Sequence, residues 1–432
     1  MNPTIKARIE SIRRGEVPEG YKRTKAGILP VDWEFNPLSQ LAQKSKTKNR
    51  EKRYTKILTN SANEGIISQT DYFDKQIANN DNIEGYYIVK KGDFVYNPRI
   101  SVAAPCGPIN CYHGEETGVM SPLYTVFSID VKKIERDYVE QFFSSTFWHR
   151  YMKSVANYGV RSDRMNLSDE DFFLLPIPMP ARKEQEKIAE ILAGQDRVIA
   201  LKEKLLAEKQ KQKKYLMQQL LTGKKRLPGF SGEWKKVFLG ELGCCIRGVS
   251  YNPAKDMREK EDCETIQLLR ANNIDNNEIN FNDIYYISKQ IVAEEKIIRI
   301  GDILISMSSG SKIAVGKSAQ VKNIKKLSCV GAFCSIYRSQ DNNYIIQFFS
   351  SELYRKQLFI LLEGSNINNL TSSDIENLTF CIPQDKKEQT AIAEILSTAD
   401  KEIELLKKDI EQEKLKKKSL MQLLLTGIVG VL

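Results

Sequence analysis

Histidine is almost missing from this chain: His113 and His149 are the only two in 432 residues, which leaves little material for catalysis through an imidazole base. No apolar run approaches the ~18 residues that cross a bilayer. The N-terminal stretch MNPTIKARIESIRRGE lacks the apolar core of a secretory signal. Eight cysteines at irregular spacing do not make the framework of a small secreted disulfide protein. Together these absences point to the cytoplasm. No polar low-complexity tract is present either, and with 41% hydrophobic and 28% charged residues the composition is that of a globular chain. The length is that of roughly two to four domains.

Sixty-five Lys and Arg against 55 Asp and Glu leave a net charge of +10, which suits a polyanionic partner without requiring one. The dominant feature is repetition. The stretch KEQEKIAEILAGQDRVIALKEKLLAEKQKQKKYLMQQLLTG at 183–223 returns as KEQTAIAEILSTADKEIELLKKDIEQEKLKKKSLMQLLLTG at 387–427, at a constant offset of 204 residues. Shorter echoes lie between. Gln141-Phe-Phe-Ser-Ser145 recurs as Gln347-Phe-Phe-Ser-Ser351, Gly92-Asp93 as Gly301-Asp302, and Asn166-Leu167-Ser168 as Asn369-Leu370-Thr371, at offsets of 203 to 209. Trp33 in LPVDWEF answers Trp234 in FSGEWKK. The chain is two copies of one unit, each a divergent globular part followed by a nearly identical helical part.

In the helical parts Ile188, Leu192, Gln195, Ile199, Lys202, Leu206, Lys209, Lys213, Leu216 and Leu220 step by four and three. So do Ile392, Leu396, Ala399, Ile403, Leu406, Ile410, Glu413, Lys417, Leu420 and Leu424, the pattern of a coiled coil. Polar entries at Lys209, Lys213, Glu413 and Lys417 suit a two-helix seam better than a closed core. Asp385 and Glu388 resemble a capping box, and Gly223 and Gly427 sit where a helix-ending glycine belongs. The apolar segment from Met421 onward reads as a docking tail, and residues 6–15 as a helical fragment completing the bundle around the far end of the chain.

The divergent halves read as mixed α/β. Short β-rich runs at 85–89, 93–96 and 123–127 precede one helix carrying Phe142, Phe143, Phe147, Tyr151 and Val155. Runs at 303–305 and 335–337 precede another carrying Ile345, Phe348, Phe349, Leu353 and Leu358. Both aromatic stripes read as core.

The strings IAEIL, LMQQLLTG with LMQLLLTG, the Gly-Asp runs at Gly92 and Gly301, VMSPLYTVF at 119–127 and LPGFSGEW at 227–234 resemble the specificity subunit of type I restriction-modification systems. The likeness covers essentially the whole chain, in the same order of parts. It implies an α+β fold with an internal pseudo-twofold repeat. The expected segments are an N-terminal helix at 1–20, target recognition domains at 21–178 and 227–382, and coiled-coil helices at 179–226 and 383–432. It further implies a non-catalytic chain whose domains each read half of a split double-stranded DNA target. The helices would space those domains and dock methyltransferase subunits. S-adenosylmethionine would be held by the methyltransferase partner, and restriction subunits are expected too. The entry to the first helix, IPMPARKEQ, is one residue longer than that in CIPQDKKEQ before the second, four residues against three separating Ile-Pro from Lys-Glu-Gln, so the two joints need not be equivalent. A coiled-coil adaptor without DNA contact, or a single-chain methyltransferase, are the alternatives.

No catalytic constellation competes with this reading. GSKIAVGKS at 310–318 has one residue too many for a phosphate-cradling loop. Tyr96-Asn97-Pro98-Arg99 lacks the second proline and the aromatic of an adenine methyltransferase motif. Cys106, Cys111 and His113, or Cys329 with Cys334, lack the spacing and fourth ligand of a zinc site; the cysteines read as buried structural residues, so no metal is expected.

DNA contact calls for cations on phosphates and for amide, guanidinium or hydroxyl groups on base edges. The densest basic tract holds Lys44, Lys46, Lys48, Arg50, Lys52 and Arg53, and its bland reading is a solvated loop. Arg99, Arg161 and Arg164 are candidates for phosphate or guanine. Asn366, Asn368 and Asn369 are candidates for adenine, or else turn formers. Ser309, Ser311 and Lys312 form a third, weaker group.

Overall fold

The computed structural model describes residues 3–24, 27–72, 80–156, 163–275, 277–310, 314–363 and 369–431. Two compact units divide the chain, residues 1–202 with 409–432 and residues 203–408.

In the first unit a short helix, α1 (Pro3–Arg13), precedes β1 (Glu34–Pro37) and β2 (Ala42–Lys44). Then come β3 (Phe94–Tyr96), β4 (Ile109–Cys111), β5 (Thr125–Ile129), α2 (Arg136–Phe143), α3 (His149–Val155), β6 (Pro176–Met179) and the 39-residue α4 (Arg182–Leu220). The second unit repeats the frame. It has β7 (Trp234–Phe238), β8 (Gly243–Arg247), β9 (Ile303–Ser306), β10 (Ser318–Gln320), β11 (Cys334–Ser339), α5 (Asn342–Phe349), α6 (Glu352–Glu363), β12 (Thr379–Pro383) and the 39-residue α7 (Lys386–Leu424).

Equivalent strands pair equivalently. The four-stranded sheet runs β2-β5-β3-β4 in the first unit and β8-β11-β9-β10 in the second, all antiparallel. The strand before each long helix returns to the strand after the repeated tryptophan, β6 on β1 and β12 on β7. The two joints therefore make equivalent pairings, although in this register the extra residue falls in the second joint rather than the first, six residues separating Pro383 from Gln389 and five separating Pro180 from Gln185. Gln185 and Gln389 make the same bond there, donating to the carbonyls of Pro180 at 2.8 Å and Pro383 at 2.7 Å. The repeated Gly-Asp runs are turns in which Asp93 and Asp302 each accept a backbone N–H from three residues before, at 2.7 Å. The units differ beyond the frame: a second four-stranded sheet built on Thr265–Leu269 exists in the second unit, where the first has two-stranded pairs.

Each stretch expected as one aromatic helix is two, α2 with α3 and α5 with α6. The repeated Phe-Phe-Ser-Ser is the cause. Ser145 and Ser351 turn their hydroxyls onto the carbonyls of Phe142 at 2.5 Å and Phe348 at 2.7 Å, taking acceptors that a continuing helix would use. The aromatic stripes do face the cores: Phe94, Phe127, Phe142 and Phe143 are buried in the first, Tyr337, Phe348 and Phe349 in the second.

Both long helices are divided between the units. Ile188, Ala189 and Leu192 from the start of α4, with Met421, Leu424 and Leu425 from the end of α7, belong to the first core. Met217, Leu220 and Leu221 from the end of α4, with Ile392, Ala393 and Leu396 from the start of α7, belong to the second. Within each unit the two helices pair antiparallel. Asp196 pairs with Lys417 at 2.6 Å and Lys202 with Asp409 at 2.7 Å in the first. Lys209 pairs with Glu402 at 2.8 Å and Lys213 with Asp400 at 2.5 Å in the second. Polar seam positions thus serve as cross-helix ion pairs. Ile199, Ile403 and Ile410 are buried beside them, while Leu206, Leu216, Leu406 and Leu420 are half-buried.

The tail docks on its own chain. Gly427 (φ +64°) and Gly223 (φ +68°) turn the chain at the two helix ends. A Cβ on Gly427 would come 2.4 Å from Pro30 and 3.0 Å from Trp33, and one on Gly223 3.3 Å from Trp234. Trp33 therefore meets the end of α7 as Trp234 meets the end of α4. Arg8 of α1 donates to the carbonyl of Ile428 at 3.2 Å, and Tyr21 to that of Gly427 at 2.7 Å. Glu388 is not the capping-box partner expected: its carboxylate takes both Nε and Nη2 of Arg226, at 2.7 and 2.8 Å, while Asp385 accepts from the N–H of Lys387. Among the described residues no helix is long and apolar enough to cross a membrane.

Candidate nucleic-acid interface

In the first unit the chain leaves β3 through Asn97, Pro98 and Arg99. It meets a segment more than sixty residues later in an antiparallel bridge, Arg99 opposite Arg164. Ile100 N–H donates to Asp163 at 2.8 Å and Met165 N–H to Pro98 at 2.9 Å; Met165 is buried and anchors the return. Side chains of directly opposed residues share a face, so like charges there repel. Neither guanidinium has an ion-pair partner among the described residues. Arg99 is exposed and Arg164 half-buried.

The second unit builds the same bridge with different residues, Ser308 opposite Asn369. Leu370 N–H donates to Met307 at 2.8 Å, matching the Met165 to Pro98 bond. The helix caps that follow match at another offset, Ser168 accepting from Asp171 N–H and Thr371 from Asp374 N–H. Two more residues, including Asn166, therefore lie between bridge and cap in the first unit, and the structural counterpart of Asn369 is Arg164 rather than Asn166.

The basic tract is a folded loop. Asn49 is buried, donates to Tyr54 O at 2.8 Å and accepts from Tyr54 N–H at 3.1 Å. Lys44 pairs with Asp169, and Lys52 with Glu84 at 2.9 Å. Lys48 lies 5.9 Å from the centre of the Tyr87 ring and Arg53 5.6 Å from that of Tyr54. Lys46 and Arg50 are exposed and have no ion pair among the described residues. Through Lys44 the tract is tied to the short helix five residues beyond Arg164. Arg161, Ser311, Lys312, Asn366 and Asn368 lie outside the described residues; Ser309 stands next to Ser308. Reading the sequence passed over Ser308. The offset of 209 that relates Gly92 to Gly301 also takes Arg99 to Ser308, and is the signal that finds it.

The motifs tried for catalysis have other work. Asn97 donates to Asn60 O at 3.0 Å and accepts from Arg99 N–H. In the near-phosphate loop Lys317 pairs with Asp275 at 2.8 Å, Ser318 is buried, and a Cβ on Gly316 would meet Leu358 at 2.2 Å. Cys106, Cys329 and Cys334 are buried. Burial pushes the thiols of Cys329 and Cys334 up to about 12, with Lys296 opposing at Cys329.

Fold and site together define a duplicated frame presenting paired loops of divergent chemistry. The sequence pattern of the type I restriction modification DNA specificity domain matches residues 30–210 and 231–414, and the chain belongs to that family. It is 35% identical over 182 residues to the type I restriction enzyme StySPI specificity subunit of Salmonella potsdam, which is 41% of this chain and 39% of that one. The EcoKI specificity subunit of Escherichia coli K12 is 35% identical over 188 residues, 43% of this chain and 40% of that one. These matches thus span about two fifths of the relatives' length. The MjaVIII specificity subunit of Methanocaldococcus jannaschii is 26% identical over 333 residues, 73% of this chain and 75% of that one. Two solved structures share the fold. A chain from a type I R-M system aligns with a TM-score of 0.57 at 17% identity, over 93% of this chain and 99% of that one. The type I S subunit from M. genitalium aligns with 0.54 at 13% identity, over 91% and 96%.

Proposed function

We propose that this chain is the DNA-recognition subunit of a type I restriction-modification complex, each unit reading one half of a bipartite duplex target. The observation that carries the reading is the Arg99–Arg164 bridge. Two opposed guanidiniums without a carboxylate partner among the described residues call for an anionic or guanine-bearing partner between them. At the equivalent place Ser308 and Asn369 offer a hydroxyl and an amide, the groups that read adenine. Methyl transfer, with its S-adenosylmethionine, and cleavage belong in this reading to methyltransferase and restriction subunits in the cytoplasm.

Selection from a pool of randomised duplexes, with the methyltransferase subunits present, tests it. Two short conserved elements separated by an unread gap are expected, and retention of duplexes without any shared element would overturn the reading. The spacing role has its own arm. Removing one heptad from both long helices shortens each by about 10 Å. At about 3.4 Å per base pair the selected gap should shrink by roughly three base pairs.

A further inference from the structure

Cys111 ends β4 and His113 follows two residues on, so the alternation of an extended chain sends both to the same face. Glu140 comes up to meet them from the second turn of the helix α2. His113 Nε2 and Glu140 Oε1 are 2.7 Å apart. One ligand atom from each of Cys111, His113 and Glu140 lies within 4.8 Å of the other two. The thiol is buried and the imidazole exposed, so the trio has an apolar floor and an opening to solvent.

The frame does not require these residues. Tyr112 N–H donates to Asp93 O at 2.8 Å, and in the second unit Val321 N–H donates to Asp302 O at 2.8 Å. Gln320 and Lys322 therefore stand where Cys111 and His113 stand, and Ile346 where Glu140 does. There Gln320 donates to Asn343 at 3.1 Å and Lys322 pairs with Glu404 at 3.8 Å. At these three positions the same frame carries no sulfur, imidazole or carboxylate.

We propose that Cys111, His113 and Glu140 bind one divalent transition-metal ion of the zinc class, with solvent in the remaining position. A thiolate, an imidazole and a carboxylate are a donor set that such an ion accepts, at bonds of about 2.0 to 2.3 Å. Tetrahedral ligands at those bond lengths stand roughly 3.3 to 3.8 Å apart, so His113 Nε2 and Glu140 Oε1, 2.7 Å apart, open by roughly 0.6 Å while the longer separations in the trio close by up to about 1 Å, through rotation of the His113 and Glu140 side chains. On binding, the Cys111 S–H bond breaks, the sulfur bonds the metal and the proton goes to solvent. The ion then ties β4 to α2 in the first unit alone.

Cobalt(II) added to the purified full chain under reducing conditions tests the site. One ion per chain should bind, with a near-ultraviolet thiolate-to-cobalt charge-transfer band and a rise in Tm. Cys111→Ser should abolish the band. Because a change at a buried residue can also cost folding, His113→Ala and Glu140→Gln carry the same test from the surface: each should melt as the parent does without metal, yet lose the cobalt-dependent rise. No uptake at equimolar cobalt and tens of micromolar protein overturns the proposal. So does a band that survives both Cys111→Ser and His113→Ala, because exposed Cys244, Cys263 or Cys381 would then be its source.

Discussion

Glu184 and Glu388 stand 204 positions apart at the start of the two long helices, and the two units hold them by different chemistry. Glu388 is buried and takes both arms of Arg226, whose guanidinium lies 5.7 Å from the centre of the Trp234 ring. The Trp234 indole N–H is left without a hydrogen-bond partner among the described residues. In the first unit the position equivalent to Arg226 is Gly430, and a Cβ there would lie 4.0 Å from the Glu184 carboxylate. Glu184 lies instead beside the Trp33 indole and the N–H of Val431. Burial pushes its pKa up and Asp32 adds to this, while Trp33 and Val431 draw it down. The frame thus needs a tryptophan against a helix-ending glycine and a carboxylate close by. Whether the carboxylate meets a cation or an indole is open to each copy.

The strongest way to break this comparison is to remove the cation. Arg226→Met strands the buried Glu388 carboxylate without its cation, the costliest of these changes even though Arg226 itself is partly open to solvent. The loss should appear as a lower Tm, with hydrogen exchange accelerated in residues 203–408 only. Glu184→Gln should leave the melt nearly unchanged, because Glu184 has no ion-pair partner among the described residues for its loss to strand. A similar loss from both variants would end the distinction.

Leu192→Ala and Leu396→Ala sharpen the opposite claim, that the frames are alike. Both leucines are fully buried at equivalent helix positions, so each should cost about 2–5 kcal/mol, with denaturant midpoints displaced equally and exchange rising in a different unit for each. Recognition should separate where packing does not. Asn369→Ala should remove about 1–3 kcal/mol of discrimination at one half-site and leave the other intact, while Arg164→Ala does the converse; selected-target sequencing of the two variants reads both. Relaxation of both halves by one substitution would refute independent reading.

The smallest effect is at the seam. Glu413 is held at about 2 by hydrogen bonds from Lys202 and then Gln195, against its ordinary 4.5. A depressed carboxylate contributes stability that is complete above its unfolded-state value and is lost as pH falls toward the folded one. The first unit should therefore weaken between about pH 4.5 and 2. In Glu413→Gln that part of the acid slope should vanish from a pH series of melts. Solvent exposure of the seam keeps the effect small.

Much of this was legible without coordinates. The 204-residue offset exposed the duplication, the four-three spacing located α4 and α7 to within a few residues, and Gly223 and Gly427 marked their ends. Local chemistry hid the break at Ser145 and Ser351: a serine hydroxyl can either face solvent in a helix or capture the carbonyl that would continue it, and periodicity does not distinguish the two. The interface was half legible. Arg164 and Asn369 stood out by residue type and loop position, but nothing in one dimension set Arg164 opposite Arg99 or Asn369 opposite Ser308, since the partners come from segments more than sixty residues apart.

The sequence by itself determined the two copies, the α/β character of each and the long amphipathic helices, because periodicity and repetition are local properties of a chain. Only the tertiary structure decided which helix ends share a core, that Trp33 meets Gly427, and that Cys111, His113 and Glu140 converge. Those outcomes depend on burying apolar surface between segments distant in the chain, and the free energy of that burial belongs to the pair of segments rather than to either one.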